Sequence, residues 1–158
     1  AVLPGGQTLH ELRASLAEAE ARVTGGLSPR VLPMAEIRDL GALMQRAGLA
    51  LPVADSLPQT VEYRDLAALT GDLRAMGETN ALTARLRQTT RRAVLAEAAA
   101  IYAATFALPS GRLPATAELI TLTGWAPHES QQQPLRPGSA KARLADALRV
   151  PELPLKPG

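Results

Sequence analysis

The sequence predicts a helix-rich α/β chain. Leucine and alanine recur at three- and four-residue spacing in several stretches, the mark of amphipathic helices. Two separate runs, 49–63 and 115–125, read instead as strands. Apolar residues make up 46% of the 158 residues, enough for a globular core. Aromatics are only 3%, so leucine and alanine must build most of that core.

The elements follow in order. Ala1-Val2-Leu3 is apolar and runs into Pro4-Gly5-Gly6, which reads as the cut end of a buried strand and gives the expectation of a fragment. Thr8-Leu9-His10-Glu11 has the form of a capping box, and Leu9, Leu12 and Leu16 continue it as a helix over 8–23 that stops at Gly25-Gly26. Ile37, Leu40, Leu43, Met44 and Ala47 trace a second helix, with Gly48 at its end. The run 49–55 reads as a strand continued by 60–63. Pro52 and Pro58 place it at an edge or on a bulge. Asp65 caps a third helix with Leu66, Leu69, Leu73 and Met76 on one face and Gly77 after it. A long fourth helix is predicted over 83–107, with Val94, Leu95, Ala98, Ile101, Tyr102 and Phe106 inward. The run 115–125 is apolar on both faces around Leu119, Ile120 and Leu122, as an interior strand is. Ser139 caps a last short helix over 139–149. Two such strands make a poor sheet by themselves, so missing partners are implied.

Composition excludes several chemistries. The chain has no cysteine, hence no disulfide, thiolate zinc site or cysteine nucleophile, which fits a reducing compartment. Two histidines, His10 and His128, leave almost no material for a metal site or a Ser-His triad. Of the 17 basic residues all but Lys141 and Lys156 are arginine. The densest cluster, Arg85, Arg87, Arg91 and Arg92, would form two patches on a helix and reads as a solvated face, so no nucleic-acid partner is expected. No apolar run approaches the ~20 residues that span a bilayer, so no membrane partner is expected.

The phrases "GGQTLHELRASLAEAE", "RDLGALMQRAGL", "LTGDLRAMGETNAL" and "TGWAPHESQQ" together resemble the C-terminal half of class I SAM-dependent methyltransferases. The group they are most similar to contains the malonyl-carrier-protein methyltransferase-like proteins and the mitochondrial complex I assembly methyltransferase-like factor. The resemblance implies the C-terminal portion of a Rossmann-like fold, with about five helices, two to three strands and an antiparallel last pair. It places the fifth, sixth and seventh strands at 1–3, 49–63 and 115–125, the last inserted between two others. It makes 1–158 a single partial domain, with a substrate-covering helical insertion over 65–107 and a tail over 126–158. The family binds SAM through a glycine-rich turn after its first strand and an acidic residue ending its second. Neither is present in register, so no cofactor-binding residue is assigned in this chain and none is expected to be bound by it.

Substrate-pocket candidates follow from the same resemblance. Met76, Glu78 and Asn80 lie in the phrase "MGETN" between the covering helices, and are otherwise helix-end chemistry. His128 and Glu129 leave the last strand, where an imidazole can act as a base, or they are a polar loop. Trp125 is a pocket wall or a packed strand end. His10 and Arg13 follow the fifth strand, on the side where ligands of such sheets sit, and Arg13 can pair with an acidic substrate. No catalytic residue and no metal ligand is assigned. The reading is the substrate-covering part of a methyltransferase-like protein, inactive alone. The alternative is a non-enzymatic protein-interaction or assembly-factor-like module. Expected partners are a second copy or the missing N-terminal half, and a protein or carrier-protein substrate. The expected location is cytoplasmic.

Overall fold

The computed structural model describes residues 1–132 together with Ser139, Leu148 and Arg149. The chain divides into two compact units, Ala1–Ala126 and Pro127–Gly158. The first unit runs β1 (Val2–Pro4), α1 (His10–Thr24), α2 (Ile37–Arg46), β2 (Ala50–Tyr63), α3 (Leu66–Ala75), α4 (Arg92–Phe106) and β3 (Leu113–Trp125). It is an α/β unit with a three-stranded sheet of order β1-β3-β2, in which β3 is antiparallel to both neighbours. The helix expected over 139–149 lies outside the described residues.

The strand β2 is continuous where a break was expected between 55 and 60. It pairs with β3 from Val53↔Thr123 to Tyr63↔Leu113, and the irregularity falls earlier, between Ala50 and Val53. Leu51 adopts φ 49° there. Pro52 sits in that bulge and Pro58 is tolerated because β2 is an outer strand. As an interior strand β3 starts two residues before the expected Ala115, at Leu113.

Helix α1 begins at His10 and is not capped by Thr8, because β3 takes over its entry. The amide of Gly5 donates to the Glu118 carbonyl (2.8 Å) and that of Leu9 to the Thr116 carbonyl (2.8 Å), so the β1 ladder continues into the turn. This draws Leu9 to φ 52° at the helix boundary. Both members of the expected capping box are engaged elsewhere. The Thr8 hydroxyl accepts from the Glu118 amide (3.1 Å). The Glu11 carboxylate accepts from the amide (3.2 Å) and hydroxyl (2.5 Å) of Thr116. Asp65 does cap α3, accepting from the Ala68 amide at 2.7 Å.

Helix α4 is nine residues shorter at its start than expected, beginning at Arg92 rather than 83. Residues 80–90 are tied to another part of the chain: Asn80 Nδ2 donates to the Pro29 carbonyl (2.9 Å) and Arg30 Nη1 to the Thr90 hydroxyl (2.8 Å). Arg85 and Arg87 are therefore not helical, and the two helical patches expected of the arginine cluster do not form.

The core is built from Leu12 and Ala19 of α1, Leu66 and Leu69 of α3, Val94, Ala98, Ile101 and Tyr102 of α4, and Leu113 and Ala115 of β3. Tyr102 is fully buried, and its hydroxyl donates to the Pro114 carbonyl at 2.6 Å. Burial and the nearby Glu11 charge push that hydroxyl's pKa well up, so it stays a donor. Leu95, expected inward, is 43% exposed. So are Leu119, at 40%, and the Leu57 opposite it, which leaves one stretch of the sheet face open.

Glu11→Ala should cost more stability than Asp65→Ala. The first leaves the Thr116 donors in a buried setting without their acceptor, at about 1–3 kcal/mol. The second removes one helix cap, at about 1 kcal/mol. Urea unfolding of the two variants checks the order; equal losses would show that Thr116 finds another acceptor.

Candidate functional site

A cavity of about 320 Å³ lies among α1, the 30–34 segment and the turn after α3. Leu12 and Leu16 come from α1, Leu9 from its N-cap and Leu73 from α3, and Arg30, Glu78, Thr79 and Asn80 supply polar groups. The turn is shaped by Gly77, at φ 83°, a value that favours glycine. Around it the Glu78 amide reaches back to the Leu73 carbonyl (2.8 Å) and the Gly77 amide to that of Arg74 (3.1 Å), a Schellman-type helix end. Asn80 is held on both sides, donating to the Pro29 carbonyl (2.9 Å) and accepting from the Leu82 amide (3.2 Å).

The segment facing that turn is fixed by a nearly buried ion pair. Arg30 donates to both oxygens of Glu20, at 3.0 and 2.9 Å, and Ser28 donates its hydroxyl and amide to the same carboxylate. Burial raises the Glu20 pKa, but the Arg30 and Ser28 hydrogen bonds and the Arg30 charge outweigh it. The carboxyl lies below its ordinary value. Sequence reasoning missed this group. Glu20 follows Leu16 by four residues on the inward stripe of α1, and a charge on that stripe was the available signal.

The structure does not gather the sequence candidates at one place. Glu78 and Asn80 line the cavity; Met76, the α3 C-cap, does not and is 65% exposed. His10 opens α1, with Nδ1 3.0 Å from the Gln7 carbonyl and its ring edge-on to Phe106. Arg13 spends one nitrogen on the Gly6 and Thr8 carbonyls (3.2 and 3.1 Å), which secures the turn after β1. Trp125 ends β3, half exposed. His128 and Glu129 belong to the second unit. There the Ser130 amide donates to His128 Nδ1 (3.2 Å) and the Gln131 amide to the His128 carbonyl (3.1 Å), a local turn.

The residues after β1 do not fit SAM. Gly5-Gly6 follows a strand and precedes a helix, as a ligand-cradling turn would. Yet a Cβ on Gly5 would collide with the Glu118 carboxylate, and one on Gly6 with that of Glu36. The glycines make room for the chain's own acids. Glu118 is held there by Ser56 Oγ (2.5 Å) and the Gln7 amide (2.9 Å). Those two hydrogen bonds, Ser56 first, keep its pKa below the ordinary value against the opposing effect of burial. Among the described residues no group of three or more His, Asp or Glu side chains is placed to hold a metal ion. No helix among them is long and apolar enough to cross a membrane.

No family model matches the chain. Its curated relatives match the class I SAM-dependent methyltransferase-like group that the sequence resembles. The chain is 42% identical over 147 residues to the Arginine-hydroxylase NDUFAF5, mitochondrial, of Dictyostelium discoideum, covering 92% of this chain and 34% of that protein. The human protein of the same name is 38% identical over 154 residues, covering 98% of this chain and 44% of its own length. A malonyl-acyl-carrier-protein O-methyltransferase of Halorhodospira halophila is 36% identical over 121 residues, covering 77% of this chain and 39% of that enzyme. The chain thus spans between about a third and a half of the curated relatives it matches. The cytoplasmic expectation is corrected by the first two, whose names place them in mitochondria. Sequence patterning had no signal for compartment beyond the absence of cysteine, which a mitochondrial protein satisfies equally.

Glu118 makes the stability of this region depend on pH. Its folded pKa lies below the ordinary 4.5, so the unfolded chain takes up this proton first. Its contribution is whole above about pH 4.5 and is lost as pH falls through the folded value. In Ser56→Ala the folded pKa moves back up and the acid-side loss of stability becomes shallower. Melting temperatures of both proteins from neutral pH into the acid range check this; parallel curves would show that Ser56 does not hold Glu118.

Proposed function

We propose that this chain is the substrate-covering part of a SAM-dependent methyltransferase-like protein, with the methyl acceptor received by the cavity between α1 and the 78–82 turn. The observation that carries the reading is that cavity: an aliphatic wall with Glu78 and Asn80 as polar groups, in a chain related to an O-methyltransferase. SAM supplies the methyl group, and no residue of this chain is assigned to hold it. This chain's share is to position the acceptor and keep water from it. By itself the chain is inactive. The acceptor class is a malonyl group on an acyl-carrier protein, with an oxygen as the methylated atom, after the name of that relative.

A second reading is a protein-interaction module that grips an arginine side chain. It is favoured by the higher identity to relatives named arginine-hydroxylase, and by the match of a leucine-lined cavity with one carboxylate, Glu78, to a long aliphatic stem bearing a cation.

The test is Leu73→Trp, which fills the cavity from the α3 side, made in a protein that carries this chain and its SAM-binding portion. Methyl transfer from labelled SAM to a malonyl carrier protein should fall by about a hundredfold in kcat/KM, a loss of about 2.7 kcal/mol in transition-state stabilisation, while SAM affinity stays unchanged. Transfer at the wild-type rate would remove the cavity from the reading. Glu78→Gln separates the two readings: an arginine peptide binds the wild-type chain and is lost from the variant if the second is right, and binds neither protein if the first is.

A further inference from the structure

We infer that the face formed by residues 86–92 and the second cavity beside it docks an acidic segment of a partner protein. The cavity, also about 320 Å³, lies between the end of α1 and the start of α4, with Leu27, Leu86 and Val94 as apolar lining and Arg91 beside them. The charges around it are unevenly matched. Arg30, which also lines the cavity, faces the Glu20 carboxylate. Arg87, Arg91 and Arg92 are exposed and, among the described residues, face none. The lining's own acid, Glu20, is spent on Arg30 and Ser28. Helix α4 adds to the imbalance. It opens on Arg92, with no acidic residue in its first turn and no side-chain cap, so its positive end is uncompensated.

A groove with apolar residues at Leu27, Leu86 and Val94, the unpaired Arg91 in its lining and Arg87 and Arg92 next to lining residues in the chain, is complementary to a polypeptide carrying carboxylates around an apolar side chain. A nucleic acid fits less well. The groove has no aromatic ring on which a base can stack, and the chain as a whole carries a net charge of only +2. This docking does not depend on methyl transfer: the second cavity shares only Arg30 with the α1–α3 cavity.

Fluorescence anisotropy of the 158-residue chain with a labelled peptide, a leucine flanked on both sides by glutamates, tests it. Binding should weaken with salt, as a contact screened over about 10 Å at 0.1 M does. It should weaken by about tenfold in the combined Arg87→Gln, Arg91→Gln, Arg92→Gln variant, the sum of several exposed charge contacts. Replacing the same positions by lysine should restore it, which separates lost charge from lost fold. Unchanged binding by the glutamine variant overturns the inference. So does a single-stranded oligonucleotide of equal charge that binds more tightly than the peptide.

Discussion

The sheet, α1 and α4 are referred to one strand. Because β3 runs between β1 and β2, one edge pairs along most of its length with β2 and the other pairs with β1 at 119–121, which leaves less of an apolar strand open to another chain. The same strand then serves as the attachment for the helices. The Leu9 amide, the Glu11 carboxylate and the Tyr102 hydroxyl all end on β3, at Thr116 or Pro114. These are buried polar contacts, which are costly to leave unmade, and so they fix where α1 and α4 sit against the sheet.

Three carboxylates organise the unit without being free for chemistry. Glu11 binds Thr116, Glu118 is shared by Ser56 and Gln7, and Glu20 is closed off by Arg30 and Ser28. Glu11 and Glu118 are fixed by donors from a distant part of the chain and Glu20 by donors eight and ten residues on, so each works as a clasp. Glu20 lines the second cavity itself, and two of the three shape the space around them. Glu20 fixes Arg30, which lines both cavities, and Glu118 occupies the space that the glycine pair opens. The carboxylate left for a ligand in the first cavity is Glu78, on a turn directed by Gly77.

Most of the regular elements were legible in the sequence. The four helices were found from their apolar spacing, and Asp65 caps α3 as its position indicates. The prolines of β2 marked an edge strand and the apolar run of β3 marked an interior one. These readings succeeded because burial on one helix face, or on a strand, imposes a local period on the sequence. Glu78 and Asn80 were visible in a motif, whereas the Glu20–Arg30 pair was not named, since ten residues separate the two and only the folded turn brings them together.

Local pattern decided that this chain would form helices around a small sheet. Tertiary structure decided what the pattern could not. Thr8 and Glu11 have the spacing of a capping box, but β3 offers them buried partners, and those win over solvent-exposed helix-end bonds. Residues 83–91 contain good helix formers, but Pro29 and Arg30 bind Asn80 and Thr90, and the helix starts at Arg92 instead. The turn at Gly5-Gly6 has the composition of a ligand cradle, but Glu118 and Glu36 fill it. In each case the deciding contact comes from far along the chain. Its free energy exceeds the few tenths to one kcal/mol, roughly, that local propensity contributes per residue.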